Sequence, residues 1–91
     1  MNSEEIEQKL FDNISENPAQ YIRYYRELCG LTQTQLSKNL IEDGVSINSI
    51  QGHEYGLHRP HKSFTRQYVK FFSRELALLI EEKGIEILNP F

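Results

Sequence analysis

The chain has 91 residues, a formal net charge of −3 and 38 % apolar residues, which suit one small globular domain with a modest core. No apolar run approaches the ~20 residues that span a bilayer, and no N-terminal apolar core resembles a secretory signal, so we expect no membrane contact and no leader. The single cysteine, Cys29, excludes an internal disulfide and fits the reducing cytoplasm.

The charges are unevenly distributed along the chain. Residues 1–20 carry −4 and residues 71–91 carry −2, whereas residues 21–70 carry +3. A phosphate backbone responds to the local field of the protein more than to its total charge. The small basic excess predicts, at most, modest and salt-sensitive affinity for nucleic acid.

A first helix is predicted over residues 2–15, with Ser3 as its cap. Its apolar residues recur at helical spacing: Ile6, Leu10, Phe11 and Ile14. This helix either packs on the rest of the chain or contacts a dimer mate or another partner.

A second helix is predicted to start at Asn17-Pro18, with asparagine as cap and proline at the first helical position. It should run to about Cys29, where Gly30 ends it. An inward-facing stripe is expected along it: Tyr21, Ile22, Tyr25 and Leu28.

Two short helices follow. Thr32 and Gln35 form a capping box before the first, which places Leu36 and Leu40 on one face. Gly44 interrupts the pattern.

The second short helix should be capped by Ser46 and run to about Tyr55, with Ile50 facing inward. Gly56 is placed to end it, and Pro60 cannot continue it. Helices this short require bracing by neighbouring helices.

One set of residues carries a resemblance to a known family: Gly30-Leu31-Thr32-Gln33 with Leu36, then Val45-Ser46, Ile50, Glu54, Gly56, Arg59 and Pro60. The segment resembles the helix-turn-helix of the Cro/C1-type (XRE) family of bacterial and phage DNA-binding proteins, over roughly residues 18–72. The resemblance implies an all-α, compact bundle of about five or six helices of the lambda-repressor-like type. Residues 1–16 would be a helical extension, residues 17–83 the DNA-binding domain and residues 84–91 a short tail.

The resemblance also implies a set of DNA-binding residues. The base-reading positions map onto Ile47, Asn48 and Gly52, with Ser49 and Gln51 beside them. Phosphate contacts map onto Thr32, Gln33 and Ser46, and onto a second flank formed by Tyr55, His58, Arg59 and Lys62.

The chemistry of these side chains suits the role, although polar residues on a helix face are usually only solvated. Asn48 and Gln51 can each make a bidentate contact with adenine, and Ile47 can lie against a thymine methyl. Gly52 departs from the family pattern: it either permits close approach to DNA or weakens base reading.

A second implication of the resemblance concerns Arg26 and Glu54. In the family an arginine at this place pairs with the glutamate that ends the recognition helix, so Arg26 is either structural or a DNA contact. A second departure from the pattern is about three additional residues around Ile41–Gly44, which either lengthen the first short helix or widen the turn.

The C-terminal part carries an apolar repeat of four residues: Phe64, Tyr68, Phe72, Leu76 and Ile80. It predicts one helix over about residues 61–83, or two with a break near Ser73, with Ser63 as cap and Gly84 at the end. Residues 85–88 are β-prone, and the tail either packs on the bundle or pairs with a second protomer.

The remaining titratable groups suggest no catalytic or metal site. His53, His58 and His61 lack a recognised ligand spacing, and no nucleophile–base pair or phosphate-binding glycine loop is present, so we expect no enzyme, no metal and no cofactor. We interpret His53 as a packed core histidine, with a pH switch as the alternative, and Cys29 as a packing residue rather than a reactive thiol.

These observations favour a sequence-specific, double-stranded DNA-binding transcriptional regulator, with repression favoured, acting as a homodimer on half-sites about one helical turn apart. Regulation would come from protein abundance, degradation or an antagonist protein, since 91 residues leave little room for a ligand-binding domain. The alternative is a protein-interaction module on the same fold, such as an antitoxin-like or anti-repressor partner, with weak or no specific DNA binding.

Overall fold

The computed structural model describes residues 2–91, which fold into an all-α bundle. The helices are α1 (Ser3–Glu16), α2 (Pro18–Leu28), α3 (Gln33–Leu40), α4 (Ile47–Glu54), α5 (Lys62–Glu75) and α6 (Ala77–Lys83). Two short 3₁₀ turns, Ile41–Asp43 and Ile85–Leu88, complete the described chain, which contains no β-strand. The expected all-helical class is therefore confirmed. None of the helices in this range combines the length and apolar character needed to cross a bilayer.

The N-terminal helix α1 is an integral layer of the bundle. Its inner face buries Ile6, Leu10 and Ile14 against α5 and α2. The predicted cap at Ser3 is wrong: the Asn2 side chain accepts a hydrogen bond from the Glu5 amide (2.8 Å), and Ser3 is the first helical residue. Of the two alternatives for this helix, packing on the rest of the chain is the one that the structure of a single protomer shows.

The second helix, α2, starts as predicted. The Asn17 side chain accepts from the Gln20 amide, and Pro18 follows at the first helical position. Tyr21, Ile22 and Tyr25 are buried, with Leu28 only partly so.

Cys29 ends α2 and is half-buried. Burial raises the pKa of its thiol to about 11, which disfavours the thiolate at neutral pH. Gly30 follows with φ +72°, a left-handed conformation that glycine adopts without strain.

The C-terminal apolar repeat forms two helices, because the chain breaks at Leu76 between α5 and α6. A strict four-residue step drifts around a straight helix, and the break lets Tyr68, Phe72 and Ile80 all reach the core. The predicted Ser63 cap is wrong, since Ser63 lies inside the first turn of α5 and His61 holds the cap position without a side-chain hydrogen bond.

The C-terminal tail forms a 3₁₀ turn packed on the bundle, so the packed alternative describes the tail within one protomer, and the β propensity of residues 85–88 is not realised as a strand. Leu88 is fully buried, and its carbonyl accepts hydrogen bonds from Tyr25 (3.0 Å) and Asn13 (3.1 Å). The Tyr24 hydroxyl donates to the Ile87 carbonyl. Backbone groups that a strand would pair with another strand are thus satisfied by side chains of α1 and α2.

Candidate nucleic-acid interface

Helix α3 begins with the predicted capping box. The Gln35 amide donates to the Thr32 hydroxyl (3.1 Å), and the Thr32 amide donates to the Gln35 side chain (2.9 Å). Leu36 and Leu40 are buried on the inner face. Thr32 and Gln35 are exposed at the start of α3, and the capping box satisfies two of the backbone donors there.

The additional residues between the two short helices widen the turn rather than lengthen α3. The segment Ile41–Asp43 forms a 3₁₀ turn, and Gly44 reverses the chain with φ +86°. The Val45 amide donates to the Leu40 carbonyl (3.1 Å), and the Val45 side chain is fully buried. The turn is consequently anchored at both ends.

Helix α4 is capped by Ser46, whose hydroxyl accepts from the Ser49 amide (3.2 Å). Ile50 is fully buried, and α4 packs against α2 and α3. Gly56 follows with φ +72°, so the predicted start, inner face and end of this helix are confirmed.

The side of α4 opposite Ile50 carries the predicted contact residues. Asn48 is exposed, whereas Ile47, Ser49 and Gln51 are partly exposed. One turn further on, the Tyr55 side chain is 62 % exposed. This surface can therefore be reached by a partner.

Arg26 and Glu54 form the expected ion pair, which ties α2 to the end of α4. Arg26 Nε and Nη2 donate to the two carboxylate oxygens of Glu54 (2.8 and 3.0 Å), and Nη1 donates to the Leu31 carbonyl (2.8 Å). The side chains are only 12 % and 1 % exposed. The hydrogen bond with Glu54 raises the pKa of Arg26. Both charged groups are therefore bonded to other groups of the same chain, as a structural role requires.

The ion pair continues toward the surface through two glutamines. Gln33 Nε2 donates to the Glu54 carboxylate (3.1 Å), and Gln51 Nε2 donates to the Gln33 side-chain oxygen (3.4 Å). We call Arg26, Glu54, Gln33 and Gln51 the relay. Glu54 holds the Gln33 amide group, and Gln33 in turn holds the Gln51 amide group. The relay thereby orients the Gln51 side chain on the outer side of α4. An open cleft of about 330 Å³, lined in part by Thr32, lies beside it.

Gly52 is buried, so its prediction as an outward base-reading position is wrong. A Cβ atom at this position would lie 2.1 Å from His58 Cε1, because the His58 imidazole covers the helix there. Glycine at this position permits the close approach of the His58 imidazole, a side chain of the same chain. The sequence contains no local signal for it, since the two residues meet only after Gly56 turns the chain.

His53 is a packed core histidine, as interpreted from the sequence. Its side chain is buried, and a hydrogen bond joins Nδ1 to the Tyr68 hydroxyl (2.8 Å). The His58 ring packs edge-on against the His53 ring, with 5.1 Å between the ring centroids. Burial, and secondarily the nearby His58 and His61, lower the pKa of His53 to about 4, so it is neutral at physiological pH.

Arg59 is directed at α1, which corrects its assignment as a free phosphate contact. Its guanidinium donates to the Ser15 carbonyl (2.8 Å) and the Glu16 carbonyl (3.3 Å). A cation at a helix C-terminus satisfies unpaired carbonyls and complements the helix dipole. The partners are more than 40 residues apart in sequence, so no local pattern predicts the contact. On this flank Tyr55 and Lys62 remain exposed.

Comparison of the chain with protein-family models, with curated proteins and with solved structures finds no match. The function must therefore be inferred from the residues and geometry above.

Proposed function

We propose that the protein is a sequence-specific, double-stranded DNA-binding transcriptional regulator of the Cro/C1 helix-turn-helix type, with repression as the favoured mode. One observation carries the proposal: α4 is held by buried groups on one side and presents Asn48 and Gln51 on the other. A helix with amide side chains near its N-terminal end suits the width and donor–acceptor pattern of the major groove.

Base reading is assigned to α4. Asn48 would make a bidentate contact with the N6 and N7 edge of adenine, and Ile47 would lie against a thymine methyl. Gln51, whose Nε2 is engaged by Gln33, would present its side-chain oxygen to a base donor. Gly52 has no part in base reading in this proposal, and His58, which covers it, is not used as a phosphate contact.

Phosphate binding is assigned to the exposed helix starts and to one flank. Thr32 and Ser46 lie at the N-termini of α3 and α4, where free amides and the helix dipole favour an anion. Lys62 and the Tyr55 hydroxyl would contact the backbone on the other side. With only +3 over residues 21–70, each protomer should bind modestly and lose affinity with salt.

A single α4 reads only a few base pairs, so we propose that a homodimer binds an operator with two-fold symmetry. Half-site centres about one helical turn apart would place both copies of α4 on one face of the duplex.

A second candidate is a protein-interaction module that uses the same surface with weak or no specific DNA binding. It is favoured by the engagement of Arg59 with α1 and by the overall charge of −3, both of which reduce the cationic surface available to phosphate.

Selection from a randomised duplex pool at several salt concentrations tests the proposal. Asn48→Ala should relax sequence preference at one position, with a loss of about 1–3 kcal/mol in discrimination. The matched control is Lys62→Ala, which should weaken all sequences alike and lower the salt slope by about one.

Arg59→Ala is unsuitable as the phosphate control, because it would also remove the cap of α1. Equal, weak retention of every sequence by the wild-type chain would reject the regulator and favour the interaction module.

A further inference from the structure

A surface groove lined by residues of α1 and α5, and by none of α3 or α4, runs where these two packed helices meet. Its volume is about 620 Å³, and it is open to solvent along its length. Phe11 of α1 and Val69 of α5 line it as apolar residues. The proposed DNA contacts use none of its residues.

The two walls of the groove carry opposite charges. Glu4 and Glu7 lie on the α1 wall, and Arg66 and Lys70 lie on the α5 wall. All four side chains are exposed. Within residues 2–91, no salt bridge joins the two walls. Each wall therefore keeps its own sign and is available to a partner of opposite charge.

This arrangement is complementary to itself. A two-fold axis that runs along the groove, in the plane of contact, carries the acidic wall of one copy over the basic wall of the other. The same rotation places the acidic wall of the second copy over the basic wall of the first copy. Both pairs of oppositely charged walls therefore match at once. The apolar residues between the walls then face their counterparts across the axis.

We propose that a second copy of this chain docks on the α1–α5 groove, with Glu4 and Glu7 of each protomer facing Arg66 and Lys70 of the other. The occupant is a second copy rather than a uniformly charged partner, because a polyanion or polycation would meet repulsion from one wall. This interface does not depend on DNA binding, since it uses neither α3 nor α4.

The association should be weak and salt-sensitive. Exposed charge pairs contribute little each and are screened by ions, and the apolar strip is narrow for a stable dimer. The charges mainly select the orientation of the two copies.

Sedimentation equilibrium of the wild-type chain without DNA gives the first test. A concentration-dependent dimer is expected, with an association constant that falls roughly tenfold between about 50 and 500 mM salt. A monomer at every concentration up to about 1 mM, where even a very weak dimer would be populated, overturns the proposal.

Charge reversal gives the second test. E4K/E7K makes both walls basic and R66E/K70E makes both acidic, so each variant alone should dimerise at least about tenfold more weakly than wild type. An equimolar mixture should form a heterodimer at least as readily as the wild-type chain dimerises.

The matched control is E5K/D12K, which makes the same charge change on exposed positions of α1 that do not line the groove. It should dimerise as wild type does, and circular dichroism should report a folded helical chain for every variant. Reversal variants that dimerise like the wild type, or a mixture that fails to associate, would contradict the proposed surface. Neither result bears on sequence-selective DNA binding by α4, which the randomised pool measures separately.

Discussion

Buried polar groups have different roles in two regions of the molecule. Where α1, α2 and the tail meet, Asn13 Nδ2 lies within hydrogen-bond distance of three acceptors that share its two N–H groups: the Tyr25 hydroxyl (2.9 Å), the Leu88 carbonyl (3.1 Å) and the Asn89 side chain (2.9 Å). Asn13 and Leu88 are buried, so this cluster anchors the C-terminal turn to the bundle.

The relay of Arg26, Glu54, Gln33 and Gln51 instead starts in a buried ion pair and ends at the outer side of α4. Its inner end stabilises the packing of α2 and α4, and its outer end orients a surface side chain. We infer that the relay, which reaches the α3–α4 surface, couples stability to the geometry of that surface, whereas the Asn13 cluster, which reaches only the C-terminal tail, affects the stability of the tail. Changes at Glu54 and Asn13 test this contrast directly, and changes at His53 and Gly52 extend it to the polar contacts around His58, in decreasing order of expected effect.

The largest effect is expected for Glu54→Ala. Removal of the carboxylate leaves the mostly buried Arg26 guanidinium without its charged partner and should lower the free energy of unfolding by about 3–5 kcal/mol. Urea denaturation measures the change. The double variant Arg26→Met, Glu54→Leu is the control, since it removes both charges and should recover much of the loss. A single variant as stable as wild type would mean that the relay has no structural role.

The second effect is a loss of stability in acid that comes from His53. Its pKa is about 4 in the folded chain against an ordinary value of 6.5, so the unfolded chain binds the proton more readily. Stability should be complete above pH 6.5 and should fall as the pH drops toward 4, by up to about 3 kcal/mol.

Chemical denaturation at pH values across this window tests the expectation, with His53→Phe as the control. The variant removes the titrating group and should flatten the pH dependence over this range. An unchanged slope in His53→Phe would assign the acid loss to other groups.

The third effect is expected for Asn13→Ala, at about 2 kcal/mol, because the variant removes buried hydrogen bonds and side-chain contacts together. Hydrogen exchange should show earlier opening of the C-terminal turn. The contrast with the relay requires that any DNA selectivity of the folded variant stay unchanged. A variant that shifts base preference would show that the two regions are coupled.

The smallest effect is expected for Gly52→Ala. A methyl group favours the helix by about 1 kcal/mol but displaces the His58 ring from its position against His53, so the net change should be small. In a His58→Ala background the obstacle is gone, and Gly52→Ala should stabilise the chain by about 1 kcal/mol. Equal effects in the two backgrounds would show that His58 does not occupy the space above Gly52.

The features that could be predicted from sequence are those with short-range causes. The caps Thr32, Ser46 and Asn17 can be predicted because the interaction is local: each side chain accepts a hydrogen bond from an amide three residues ahead. The apolar spacing located the inner faces of the helices, as Ile50 and Leu36 show. The Arg26–Glu54 pair was anticipated only through the family resemblance, because its members are 28 residues apart.

The errors have long-range causes or competing local ones. The family resemblance places Arg59 among the phosphate contacts, but the carbonyls that it caps come from the end of α1. The tail is β-prone in sequence because its apolar residues partly alternate, yet Asn13 and Tyr25 both bind the Leu88 carbonyl and hold the tail in a 3₁₀ turn. At the N-terminus, Asn2 and Ser3 are both good caps, and Asn2 rather than Ser3 caps the helix.

The sequence by itself determined the helical class, most helix boundaries and the inner faces, because capping, glycine conformation and apolar periodicity act within one or two turns of the chain. Tertiary structure alone decided which polar residues remain available at the surface. Gly52 is covered, Arg59 is engaged and Asn48 is free, because each outcome depends on a neighbour brought close only when the helices pack.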